Sequence, residues 1–170
     1  MVNPKLAVAL TGRSGEALEE YKKLMLKLNN EVVAAAPEDL LINTHVCRGN
    51  YHSTFFSSGA YDSVADLLFG EENVNAYYLE YDDERSGGFA PLAKVSGDKK
   101  VVLGLVTTKT PALENKELVI NRIHEAAKYV PLDRLYLSPQ CGFASCEIGN
   151  KLTEEAVSYT HLTLPTNSRV

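Results

Sequence analysis

His45 and Cys47 stand two residues apart at the end of an apolar run. In extended chain, residues i and i+2 share a face, so one imidazole nitrogen and one sulfur can reach a common cation. His-x-Cys is weak evidence alone, because a capped histidine beside a buried thiol reads the same way. Glu80 strengthens it, closing the apolar stretch Ala76-Tyr77-Tyr78-Leu79, where a carboxylate needs a cation or other partner. Cys141 directly follows Leu135-Tyr136-Leu137-Ser138-Pro139-Gln140. Two thiolates, an imidazole and a carboxylate suit Zn2+ by softness and coordination number, and do not suit calcium or magnesium. Such a set leaves the metal with a net negative charge, so an incoming thiol would be held as an electron-rich thiolate, best admitted by loosening the carboxylate. Free thiols have a pKa of about 8.5, and coordination supplies the thiolate at neutral pH. The chemistry implied is attack by a substrate sulfur on an electrophilic carbon. Cys146, five residues beyond Cys141, is an alternative ligand.

Elements must bring these four residues together. Leu18, Tyr21, Met25, Leu28, Val32 and Ala35 recur at helical spacing over residues 15–36, and Pro37 closes that helix. Apolar runs at 39–46, 74–81, 100–106 and 134–138 predict four strands. A short helix is expected at 64–69 and a longer one at 115–129, the latter with an apolar face of Val119, Ile123, Ala126 and Val130. A further helix begins near Thr153. Helices alternating with strands specify α/β architecture, since parallel neighbours need crossover connections. No Gly-x-Gly-x-x-Gly or P-loop is present. The expectation is the C-terminal half of a (β/α)8 TIM barrel, four parallel strands with crossover helices, and each proposed ligand lies at the C-terminal end of a strand, the face on which such barrels build active sites.

The 170 residues are 45% hydrophobic and 23% charged, with a formal net charge of −5. This excludes a basic nucleic-acid footprint and an affinity for anionic membranes. Apolar stretches are strand-length, and the N-terminus lacks the apolar core of a signal peptide, so the sequence reads as cytoplasmic. Three cysteines at wide spacing argue against a disulfide scaffold. Residues 1–156 read as the partial barrel. Residues 157–170, rich in Ser and Thr with Pro165 where a closing helix should continue, read as a tail foreign to the fold.

Three segments carry a family resemblance: Thr44-His45-Val46-Cys47-Arg48-Gly49-Asn50, Tyr78-Leu79-Glu80-Tyr81-Asp82-Asp83-Glu84-Arg85-Ser86-Gly87, and Leu135-Tyr136-Leu137-Ser138-Pro139-Gln140-Cys141-Gly142. In order and content these resemble the zinc motifs of cobalamin-independent methionine synthases, especially their shorter single-barrel bacterial relatives, over roughly residues 33–156. The resemblance implies a catalytic zinc on His45, Cys47, Glu80 and Cys141. It also implies methyl transfer from a methylated folate to the sulfur of homocysteine, giving methionine. Lys109 occupies the position of that family's proton-donating histidine. The strands that grip the homocysteine amino group and much of the folate have no counterpart in this sequence.

Arg85 and Ser86 are candidate substrate contacts, or else Arg85 forms a loop ion pair with Asp82 or Asp83. Tyr51 and His52 line a pocket or pack a loop, and His124 lies beside an apolar stripe, facing solvent. Two alternatives accompany the methionine synthase reading: a zinc methyltransferase for another thiol or methyl donor, and an inactive half barrel that binds zinc. Four strands of a barrel leave two raw edges, which predicts self-association.

Overall fold

A computed structural model describes residues 2–163 of the chain. It opens on helix α1, Pro4–Thr11, which the apolar spacing did not predict. Its boundaries have local causes: the Asn3 side chain accepts from the Leu6 amide, Pro4 occupies the first turn, and Gly12 ends the helix at φ 66°. Helix α2, Gly15–Ala34, follows the expected range, but its apolar stripe is largely uncovered. Leu18 is buried, whereas Leu28 and Val32 are 44% and 72% exposed.

Four parallel strands form one sheet in chain order: β1 (Asn43–Val46), β2 (Ala76–Glu80), β3 (Lys100–Val106) and β4 (Leu135–Pro139). Strand β1 starts later than the apolar run suggested. Leu40 and Leu41 are exposed in the preceding turn, and the chain joins the sheet only where the Ile42 amide bonds Asn75 Oδ1. Helix α3 (Ala65–Glu71) connects β1 to β2, short 3-10 turns connect β2 to β3, and α4 (Lys116–Ala126) connects β3 to β4. Helix α5 spans Glu154–Thr163 and so crosses the boundary drawn after residue 156. The remainder of the proposed tail, 164–170, lies outside the described residues.

Alternation along the strands divides the sheet into two faces. Tyr77, Leu79, Val101, Leu103 and Leu135 join Phe69 of α3 and Ile123 and Ala126 of α4 in one core. Val130 joins them, as the helical spacing had indicated. In the register, His45 pairs with Tyr78, Tyr78 with Val102, and Val102 with Tyr136, forming a row on the other face. One step towards the C-terminal ends comes the row Glu80, Gly104, Ser138. Gly104 matters here because a Cβ would lie 2.6 Å from Gln140 Cα and 2.7 Å from the Leu79 carbonyl oxygen. Strands β1 and β4 each pair on one side only among the described residues. No helix among those residues is long and apolar enough to cross a membrane.

Candidate metal centre

At the C-terminal end of the sheet, Cys47 Sγ lies 3.4 Å from Cys141 Sγ, which lies 3.4 Å from His45 Nε2. All three donor atoms fall within 4.8 Å of one another. Glu80, fully buried as the last residue of β2, places Oε1 3.2 Å from Cys141 Sγ and 4.0 Å from Cys47 Sγ. The structure thus brings together the four residues selected from the sequence. Both thiols are free, their separation being far longer than a disulfide's ~2.0 Å. Ligands around a tetrahedral zinc at bonds of ~2.0–2.3 Å are roughly 3.3–3.8 Å apart, so the His45, Cys47 and Cys141 donors fit zinc in chemistry and spacing, with Glu80 Oε1, 4.0 Å from Cys47 Sγ, just outside that spacing.

Hydrogen bonding sets the charge within the cluster. The Cys141 thiol donating to Cys47, together with His45, lowers the Cys47 thiol to about 4. Cys141 is pushed up by the same bond, by burial and by the Glu80 charge, so the pair shares one proton with Cys47 as the thiolate. His45 is raised chiefly by its bond to Cys47, against the opposing effect of burial. Burial raises the Glu80 carboxyl, opposed by the Cys141 hydrogen bond and the charge of Lys109. These are groups that a soft dication would relieve by replacing the shared proton.

The Arg48 amide donates to Glu80 Oε2 at 2.9 Å, and its guanidinium lies 3.6 Å from the same oxygen. That guanidinium is buried, donates through Nε and Nη2 to the Gly59 carbonyl and through Nη1 to Tyr61 Oη, and stacks over the Tyr61 ring at 4.4 Å. Tyr61 Oη in turn donates to the Glu80 carbonyl, and burial pushes its phenol up to about 12. Arg48 lies within the sequence motif, but nothing in residue order signals a buried arginine behind the ligands.

Lys109 is buried with its ammonium 3.8 Å from Glu80 Oε1 and 3.9 Å from Asp82 Oδ2. Arg85 forms the local ion pair, with Nη2 3.0 Å from Asp82 Oδ1 and Nε 2.6 Å from Asp83 Oδ2, and lies over the Phe55 ring. Ser86 is fully buried and its hydroxyl has no hydrogen-bond partner among the described residues. Cys146 lies outside the group of converging donors. His52 Nδ1 meets the Gly149 carbonyl at 3.0 Å, a loop contact, while Tyr51 and His124 are exposed.

Three loops that carry these residues are tied together by amides the sequence reading passed over. Gln140 Oε1 accepts from the Thr108 amide at 2.7 Å, fixing the residue before Cys141 to the residue before Lys109. Asn50 Nδ2 donates to the Gly142 carbonyl, and Asn150 Nδ2 donates to Asn50 Oδ1 and to the Thr108 carbonyl. Asn50 and Gln140 lie within the first and third sequence motifs, whereas Asn150 lies outside all three.

Known proteins resemble this chain over most of its length. A family model described as "Cobalamin-independent synthase, Catalytic domain" matches residues 17–159. YxjG of Bacillus subtilis (strain 168), named an uncharacterized protein, is 51% identical over 142 residues, which cover 83% of this chain and 38% of that one. A solved structure of a putative vitamin-B12 independent methionine synthase from Listeria monocytogenes is 39% identical, with TM-score 0.60 over 79% of this chain and 37% of that one. A B12-independent methionine synthase from Shewanella sp. W3-18-1 has TM-score 0.62 at 20% identity, covering 82% of this chain and 40% of that one, and shows the same fold. The chain spans less than half the length of the relatives it matches. With its four parallel strands superimposing on part of those barrels, the chain belongs to the cobalamin-independent synthase catalytic-domain family.

Proposed function

We propose that the chain binds Zn2+ through His45, Cys47, Glu80 and Cys141 and supplies the thiol-activating half of a methyltransferase site. The observation that carries this is the convergence of two sulfurs, one imidazole nitrogen and one carboxylate oxygen at the ends of three parallel strands. Bound there, zinc stabilises a substrate sulfur as thiolate at neutral pH. His45 and the two cysteines fix the metal position, and Glu80 is the ligand that a substrate sulfur can replace. The acceptor is homocysteine or a similar thiol, and the donor is 5-methyltetrahydrofolate or its polyglutamate. Lys109 is proposed for the proton-donor position, and Arg85 and Ser86 for orienting substrate. The setting is cytoplasmic, with residues 1–156 as the partial barrel.

A specific observation also favours a second reading. The chain covers 37–40% of its solved relatives, and methyl transfer needs donor and acceptor held in line, an effect that accounts for ~7–11 kcal/mol of barrier. The chain alone is then a zinc-binding half barrel without turnover. One experiment addresses both readings: zinc content and methyl transfer from methyltetrahydrofolate to homocysteine, measured on this chain and on a version completed with the remaining strands of a relative. Zinc in both and methionine only from the completed form is expected. Absence of zinc from both sinks the first reading, and failure of the completed form with homocysteine alone points to another thiol.

A further inference from the structure

Glu80 presents its two carboxylate oxygens to different surroundings. Oε2 is fixed by the Arg48 amide at 2.9 Å with the buried guanidinium behind it. Oε1 faces the two sulfurs on one side and the Lys109 ammonium, 3.8 Å away, on the other. Lys109 is itself anomalous, being 9% exposed with no hydrogen-bond partner for Nζ among the described residues. A buried cation held only by long ion pairs and no hydrogen bond is costly, and such a group usually has an acceptor within reach. Two carboxylates lie just beyond hydrogen-bonding distance, and Glu80 Oε1 is the less firmly held, accepting only from weak thiol donors. Asp82 is already held, its Oδ2 accepting from Thr107 Oγ1 at 3.0 Å and from Arg85 Nη2 at 3.1 Å. The Lys109 backbone is tethered as well, through its amide to Thr107 Oγ1. Rotation of the Glu80 carboxylate about its pinned oxygen, a movement of about 1 Å, would bring Oε1 to ordinary hydrogen-bond distance from Nζ.

We infer that Lys109 is a positioning residue that receives Glu80 Oε1 whenever this oxygen leaves the metal, with Oε2 as the pivot, making Glu80 the exchangeable ligand. The inference rests on the zinc reading above. When a thiol enters, its sulfur joins the metal as thiolate, its proton leaves to solvent, and the displaced carboxylate keeps its charge against the ammonium. Lys109 therefore offsets the added negative charge without being a ligand. The role differs from proton donation, because it is exerted before any methyl group moves and needs no second substrate.

The test uses the full chain loaded with cobalt(II), whose visible bands report thiolate and carboxylate ligands, titrated with homocysteine. Lys109→Met should raise the homocysteine concentration for half-conversion about tenfold or more, the usual effect of removing a group that supports a ligand. The same variant should hold zinc more tightly against a chelator, because nothing draws the carboxylate away. Lys109→Arg, which keeps the charge, should titrate close to the wild type. Should Lys109→Met fail to fold by circular dichroism, Lys109→Gln carries the same expectation. A neutral variant that takes up homocysteine like the wild type overturns the inference, as does equal weakening by Met and Arg. Absence of sulfur-to-cobalt charge transfer in the wild type would instead remove the metal reading beneath it.

Discussion

Cys47 and Cys141 share one proton, beside a His45 whose own proton Cys47 favours, where a metal would take their lone pairs. With Cys47 lowered and Cys141 raised, the cluster without metal is a thiolate beside a thiol, and removing either sulfur removes half of the soft donor set. Cys47→Ser and Cys141→Ser should each reduce bound zinc from about one per chain to near zero, while Cys146→Ser, outside the converging group, should leave it unchanged. Metal analysis of the three purified variants decides this, and equal loss from Cys146→Ser would move the ligand. Because a ligand that binds only the folded state stabilises it by ~2.7 kcal/mol at one hundred times its dissociation constant, chelation should lower the thermal midpoint by about 5–10 °C. Residue types and spacing made this cluster of converging side chains legible. They did not make Arg48 legible, since its burial depends on Gly59, Tyr61 and Glu80 arriving around it from separate segments.

The elements show the same division. Strands β2, β3 and β4 follow the predicted ranges within about two residues because Tyr, Val and Leu sit in unbroken runs covered by α3 and α4. Strand β1 was overextended because Leu40 and Leu41 are apolar by type yet exposed, and α1 was missed because its signals were its ends, Asn3, Pro4 and Gly12, and not its periodicity. Gly104 has an element-level role: β4 reaches the site only because β3 has no Cβ where Gln140 passes. Gly104→Ala should destabilise the chain by about 1–3 kcal/mol, as overpacking against backbone does. Denaturant unfolding measures it, and an unchanged midpoint would show that β4 shifts freely. At the end of α3, burial raises the Glu72 carboxyl, with Thr44, Asn29 and Lys99 opposing, and Oε2 is buried without a close hydrogen-bond partner among the described residues. The folded chain therefore holds this proton at a pH where the unfolded chain has released it, so stability falls as pH rises through that window and the loss persists at neutrality. Glu72→Gln should melt a few degrees above wild type at pH 7, with the difference shrinking as acid protonates the glutamate. A constant difference at every pH would assign the effect to packing.

Across the whole molecule, polarity follows the uncovered surfaces. Among the described residues strand β1 has one neighbour, and beside it an open apolar groove of about 540 Å3 runs past Leu6, Leu10, Leu18 and Met25 to His45 and Cys47. Unpaired edges and exposed apolar surface favour association. Analytical ultracentrifugation of this chain should accordingly show species larger than monomer that increase with concentration, and that disappear when the remaining strands are supplied in the same polypeptide. A strict monomer at all concentrations would count against open edges as the driving force. The sheet order, finally, has a consequence in time. Strands pair in the order in which they are synthesised, so β1 and β2 can assemble while later residues are still on the ribosome. Cys141 is 94 residues beyond Cys47, a delay of about 5–19 s at ~5–20 residues per second. Through that interval the nascent chain offers His45 and Cys47, joined by Glu80 only after a further 33 residues, without their second sulfur, and a captured metal would seal the fold only once β4 has emerged.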